Sequence, residues 1–107
     1  MPSAGKPSVA YRVEFDSQAL RDLEAINDYI ACGADEATAD AYTSRIERAC
    51  QALADFPNRG TPHDHLHPGL RSISFERRAT IYYEVQGVVI TILEVAYAGR
   101  VPSLSAR

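Results

Sequence analysis

Gly69–Tyr97 read GLRSISFERRATIYYEVQGVVITILEVAY, and this run decides the fold. Arg71, Ile73 and Phe75 share one face of a first strand; Ala79, Ile81, Tyr83 and Val85 share one face of a second. That alternation is the period of a half-buried strand. Gln86-Gly87 is a tight-turn signal, the glycine supplying the positive φ that a hairpin needs. Val88 to Tyr97 is apolar on both faces, with Ile90 and Ile92 on one and Leu93 and Val95 on the other. An apolar surface on both sides suits a central strand.

Upstream, Pro57 to Gly69 holds three prolines and two glycines, the composition of a loop or a few turns. Before it lie two helical patterns. Asp16-Ser17 offers an N-cap, after which Ala19, Leu23, Ile26 and Ile30 recur at helical spacing with Leu20 widening the stripe. Cys32-Gly33-Ala34 breaks that helix, glycine being the residue that accepts a left-handed helix end. Asp35 caps a second helix with the stripe Ala39, Tyr42, Ile46, Ala49 and Leu53, flanked by Cys50 and Phe56; Pro57 stops it. So short a connection predicts an antiparallel helical hairpin. Val9, Tyr11, Val13 and Phe15 alternate as an opening strand. The expected fold is α+β with the order β-α-α-β-β-β: a helical hairpin on one face of a mostly antiparallel sheet that ends in a three-stranded meander.

A chain of 107 residues, 46% hydrophobic and 23% charged, is expected to form one soluble domain. We place it at residues 9–100, between a disordered leader (1–8) and a flexible tail (101–107). No apolar run approaches the roughly 18 residues of a membrane span, and Met1 to Ser8 lacks the apolar centre of a signal peptide. A cytoplasmic protein without a membrane partner is expected. Cys50 should lie about 20 Å along the helix axis from the hairpin turn, whereas a disulfide needs Cα atoms within about 7 Å. Cys32 and Cys50 are therefore expected to be free, small, buried side chains.

Charge is uneven. Residues 1–57 carry five Lys/Arg against ten Asp/Glu, and residues 58–107 six arginines against four acids. The overall charge of −3 argues against avid nonspecific binding to nucleic acid. His63-Asp64-His65-Leu66-His67 has an alternation that could bring imidazoles together on a metal, but a proline-rich loop offers no second shell. We expect a solvated loop and no metal. There is no glycine-rich phosphate loop and no cysteine–histidine pairing, and Ser17 reads as a cap, so neither a cofactor nor a hydrolase of the serine, cysteine or zinc kinds is expected.

Arg71, Arg77, Arg78 and Arg100 remain, with Tyr82, Tyr83 and Tyr97 among them. Guanidinium forks bind phosphate and aromatic rings stack on bases. Metal-free phosphodiester cleavage needs a base, an acid and a cation. Tyr97 and Arg100 could supply the last two, and no base stands out. Structural ion pairs from Arg71 and Arg100, with packed tyrosines, are the alternative.

The order of these pieces resembles the toxins of the ParE/RelE superfamily, from bacterial type II toxin–antitoxin modules. The resemblance covers Tyr11 to Arg100, 90 of the 107 residues. It is carried by Tyr11-Arg12-Val13-Glu14-Phe15, by the helix from Ala19 to Ile30, and by Leu53-Ala54-Asp55-Phe56-Pro57-Asn58-Arg59-Gly60. Gly69-Leu70-Arg71, Ile81-Tyr82-Tyr83-Glu84-Val85 and Ile92-Leu93-Glu94-Val95 complete it.

In this superfamily the ParE-like branch poisons DNA gyrase and the RelE-like branch cuts messenger RNA on the ribosome. Many relatives end the last strand in Leu-His-Gly-Ala-Arg; here Tyr97 stands at the histidine position, before Ala98-Gly99-Arg100. That tyrosine, the lack of lysine beyond Lys6, and an acidic pI near 5.5 favour the ParE-like branch. The resemblance thus implies a growth-inhibiting, non-enzymatic toxin acting on DNA gyrase. The runner-up is an mRNA endoribonuclease with Arg71, Arg78, Tyr97 and Arg100 as its site. Either would be neutralised in a hetero-oligomer by a ParD-like antitoxin lying over the hairpin and the sheet near Arg71 to Phe75. Tyr29, Tyr42, Arg71, Ile73 and Phe75 are the expected contacts, with basic antitoxin side chains at the acidic hairpin and DNA binding left to the antitoxin.

Overall fold

A computed structural model of the protein describes residues 10–97. The expected leader and tail, Val9 and Arg100 lie outside the described residues. The order is β1 (Arg12–Phe15), α1 (Ser17–Gly33), α2 (Glu36–Gln51), a 3-10 turn (Ala52–Ala54), β2 (Thr61–Pro62), β3 (Leu70–Phe75), β4 (Ala79–Gln86) and β5 (Val89–Tyr97). The α+β layout expected from the sequence is what forms, with the helical hairpin on one face of the sheet.

Both helices begin at a capping aspartate. Asp16 accepts the Gln18 N–H at 2.9 Å and Asp35 the Thr38 N–H at 2.7 Å, each satisfying a first-turn donor that has no helical partner. These bonds hold the Asp35 carboxyl below its ordinary pKa. Across the hairpin, Asn27 Nδ2 donates to Asp40 Oδ1 at 2.9 Å. The buried stripes are Ala19, Leu23 and Ile26 on α1, and Ala39, Tyr42, Ile46 and Cys50 on α2. Leu20 and Phe56, expected to join them, are 53% and 58% exposed. Leu20 falls off the inward face by one helical position, and Phe56 follows the 3-10 turn, which has left the helical period. Nor does glycine cap α1 in a left-handed conformation: Gly33 is its last residue, and Ala34 (φ −137°) donates its N–H to Ile30 O at 2.8 Å. Cys32 is exposed, contrary to expectation, while Cys50 is buried; both are free.

The sheet has five strands in the order β1-β5-β4-β3-β2. β5 is central, as its two apolar faces implied. β1 pairs with it in parallel, from Arg12↔Val89 to Phe15↔Ile92, a pairing that needs the long crossover the rest of the chain provides. The β4–β5 turn puts Gly87 at φ 61°. β2 is an addition to the expected meander: Thr61 and Pro62 pair with Ser72 and Arg71 inside what the sequence marked as loop. Proline, lacking an N–H, fits this edge position.

A second difference lies within β5. The register jumps at Leu93, with Tyr83 opposite Ile92 and Tyr82 opposite Glu94. The extra residue shifts the phase of the strand. Ile90 and Ile92 therefore share the helix-facing side with Val95, which strict alternation had put opposite them; Tyr97 lies there too. Beyond the end of β1, Asp22 of α1 accepts the buried Val95 N–H at 2.9 Å, and Gln18 Nε2 donates to the other carboxylate oxygen at 2.8 Å. Ile26, Ile46, Leu53, Ile81, Tyr83, Ile90 and Ile92 are at most 1% exposed and form the centre of the core. Each contributes about 1.5–3 kcal/mol of burial.

Candidate functional site

Of the four positions nominated for phosphate chemistry, Arg100 lies outside the described residues, and the other three do not form one group. Arg71 faces the helices at the β2 end of β3, where its Nε donates to the Arg59 carbonyl at 3.1 Å and its Nη2 donates to the carbonyls of Asn58 and Gly60. Tyr83, opposite it in register, donates its hydroxyl to the Pro57 carbonyl at 3.2 Å and also to that of Arg59. Together they fasten the 57–60 segment to the sheet. Gly60 completes the fastening: at φ 87°, a Cβ there would stand 2.3 Å from the Ser72 carbonyl oxygen. Arg71 thus holds backbone.

Arg78 and Tyr97 lie at the other end of the sheet. Phe75 pairs with Ala79, and Ala79 with Tyr97, four residues and about 13 Å along β3 from Arg71. There the helical hairpin and the β3–β4 turn form an open cavity of about 600 Å³, lined by Ile30, Ala37, Thr38, Ala41, Tyr42, Arg45, Glu76, Arg78 and Tyr97. Its two aromatic lining residues, Tyr42 and Tyr97, belong to a ring cluster. Tyr97 meets Tyr29 and Tyr42 edge-on, with centroids 5.9 and 5.6 Å apart, and Tyr42 meets Phe75 at 5.7 Å. Tyr29 is exposed and Tyr42 buried.

Two residues that the sequence reading passed over organise this end. Arg45 of α2 grips Glu76 with both arms of its fork, Nε to Oε2 at 2.8 Å and Nη2 to Oε1 at 3.0 Å, while its Cζ sits 5.3 Å from the Tyr42 ring centroid. The bonded guanidinium holds the Glu76 carboxyl below its ordinary pKa. Burial raises that of the Tyr42 phenol, whose hydroxyl finds no hydrogen-bond partner among the described residues. Helical spacing on α2 could have marked Arg45 as near Tyr42; nothing in the sequence links it to Glu76.

The histidines line the opposite side of the β3 edge. His63 Nε2 and Ser72 Oγ are hydrogen-bonded at 2.7 Å, His67 Nε2 and Glu84 Oε1 at 2.7 Å, and Asp64 accepts the Gly69 N–H at 2.9 Å. The loop is thus pinned to the sheet rather than freely solvated. Among the described residues, no group of three or more His, Cys, Asp or Glu side chains could hold a metal ion, and no helix is long and apolar enough to cross a membrane.

The fold and these positions can be set beside known proteins. Residues 13–102 match the family described as ParE toxin of type II toxin-antitoxin system, parDE. The chain belongs to the ParE toxin family. Among solved structures, a chain of the chromosomal ParDE TA system of P. aeruginosa is similar in fold, with a TM-score of 0.73 at 23% identity, over 83% of this chain and 97% of that one. The RelBE2 toxin–antitoxin complex of Mycobacterium tuberculosis contains a chain with a TM-score of 0.62 at 22% identity, over 89% and 99% of the two chains. The isolated E. coli RelE toxin gives 0.60 at 17% identity, over 91% and 94%. At these identities the likeness is one of fold alone. No protein with a curated description matches the sequence.

Proposed function

We propose that this ParE-family toxin arrests growth by poisoning DNA gyrase and is held silent by a ParD-like antitoxin. The observation that carries the reading is the ParE family match across nearly all of the described chain. Two structural facts support it against ribonuclease chemistry: the Arg71 fork is engaged by backbone carbonyls, and Tyr97 is 8% exposed inside an aromatic cluster. A supercoiling assay with purified toxin and gyrase tests it. Inhibition with trapped, cleaved DNA is the expected result; full supercoiling activity would end the proposal. Ribosome-dependent cuts in messenger RNA would favour the rival reading, for which Arg78 and Tyr97 line one cavity.

The sheet offers the antitoxin an edge. β2 covers only Arg71 and Ser72, so the outer side of Ile73 to Phe75 has no strand beside it among the described residues. An extended segment can pair there by strand addition. Its helix would lie over the hairpin, where Tyr29 is 65% exposed. This reading puts the toxin, its antitoxin and gyrase in the cytoplasm, with DNA binding supplied by the antitoxin.

A further inference from the structure

The open stretch of β3 ends at Phe75, and the cavity between α2 and the β3–β4 turn begins with the next residue. A strand laid on that edge therefore delivers its neighbouring residues to the cavity mouth. Of the residues that line the cavity, Arg45, Glu76 and Arg78 are charged, and Arg45 already pairs with Glu76. Arg78 makes no hydrogen bond or ion pair with any described residue, and it lines the same cavity as Tyr42. Tyr42 is 8% exposed, and its hydroxyl has no partner among the described residues. A guanidinium and a hydroxyl in one open recess, both without acceptors among the described residues, call for an anion. The turn itself is strained: Glu76 and Arg77 both have positive φ, 48° and 67°, without being glycine. Such conformations persist where surrounding contacts over-determine them, and they gather at ligand clamps. Here the Arg45 fork is that contact.

We propose that this cavity receives an aspartate or glutamate side chain of the antitoxin, with Arg78 as its counter-ion, a proposal that rests on the toxin–antitoxin reading above. Arg45 acts as a positioning residue, fixing the turn that presents Arg78. The test is calorimetric titration of the toxin with the antitoxin encoded beside it. Arg78→Glu is expected to weaken binding by about tenfold or more, as for a charge pair closed off from water. Arg12→Glu, an exposed position on β1 at the far edge of the sheet and outside the cavity, should bind as wild type does. Melting temperatures would show that both variants fold. Replacing the acidic residues of the antitoxin's toxin-binding segment by lysine, one at a time, should then reveal one change that restores affinity for Arg78→Glu. The cavity assignment is overturned by undiminished binding of Arg78→Glu, by an equal loss in Arg12→Glu, or by no lysine change restoring affinity. Failure of the wild-type chain to form any complex would instead overturn the antitoxin reading, and the occupant with it.

Discussion

Arg45 and Glu76 are exposed enough for water to screen them, yet their bidentate geometry sits on a turn with two consecutive left-handed residues. A left-handed conformation costs an ordinary residue about 1–2 kcal/mol, so the pair's contribution depends on Glu76 staying ionised. Its carboxyl titrates below the ordinary 4.5 because Arg45 bonds it. The stabilisation is therefore complete above that ordinary value and disappears as pH falls through the lowered one. Glu76→Gln should lose stability less steeply than wild type over the acid range, which urea midpoints across that range would show. Asp35, lowered by its cap bond to Thr38, adds to the same acid limb with the same sign. The thiols make a sharper contrast. Burial pushes Cys50 up to about 12, whereas Cys32 is exposed. Only a thiolate reacts readily, so a maleimide at neutral pH should label Cys32 alone until the protein unfolds.

At the scale of elements, the loop from Pro57 to Gly69 depends on its fastenings to the sheet. Tyr83→Phe removes the hydroxyl that two carbonyls share and should cost about 1–2 kcal/mol in chemical denaturation, the usual cost of a buried bond lost. Gly60→Ala should cost about 2 kcal/mol or more, because a left-handed backbone and a clash with β3 both oppose the methyl group. The helical stripes, the Gln86-Gly87 turn and the centrality of β5 were legible because each imposes a repeat or a required φ on neighbouring residues. β2 was not: two residues, one of them proline, carry no period. The bulge at Leu93 left no mark either, since a strand apolar on both faces reads the same in either phase. Arg71 looked like a phosphate ligand because its partners are main-chain carbonyls, which leave no sequence signal. Arg78 and Tyr97 stood out as residues, but the cavity they share with Arg45 exists only once α2, a turn and the end of β5 have packed together.

The whole molecule has two unlike edges. On one, β1 is short and α1 supplies Asp22 to the strand beyond it. On the other, β2 stops early and leaves the end of β3 uncovered. Hydrogen exchange should read the difference: on adding antitoxin, amides of Ile73 to Phe75 should gain protection, while those of β1 should change little. Protection confined to β1 would reverse the assignment of the edge. β5 has a further consequence, one of timing. It is the last described strand to leave the ribosome, yet β1 and β4 both pair with it. Pairings between residues so far apart in the chain form late. Until Val89–Tyr97 has emerged, β1 has no neighbour and the helical hairpin has only part of a sheet to cover. A ribosome stalled just before Val89 would therefore hold a chain whose hairpin and first strand have no β5 to close against, so the core is completed in one late step when that strand joins.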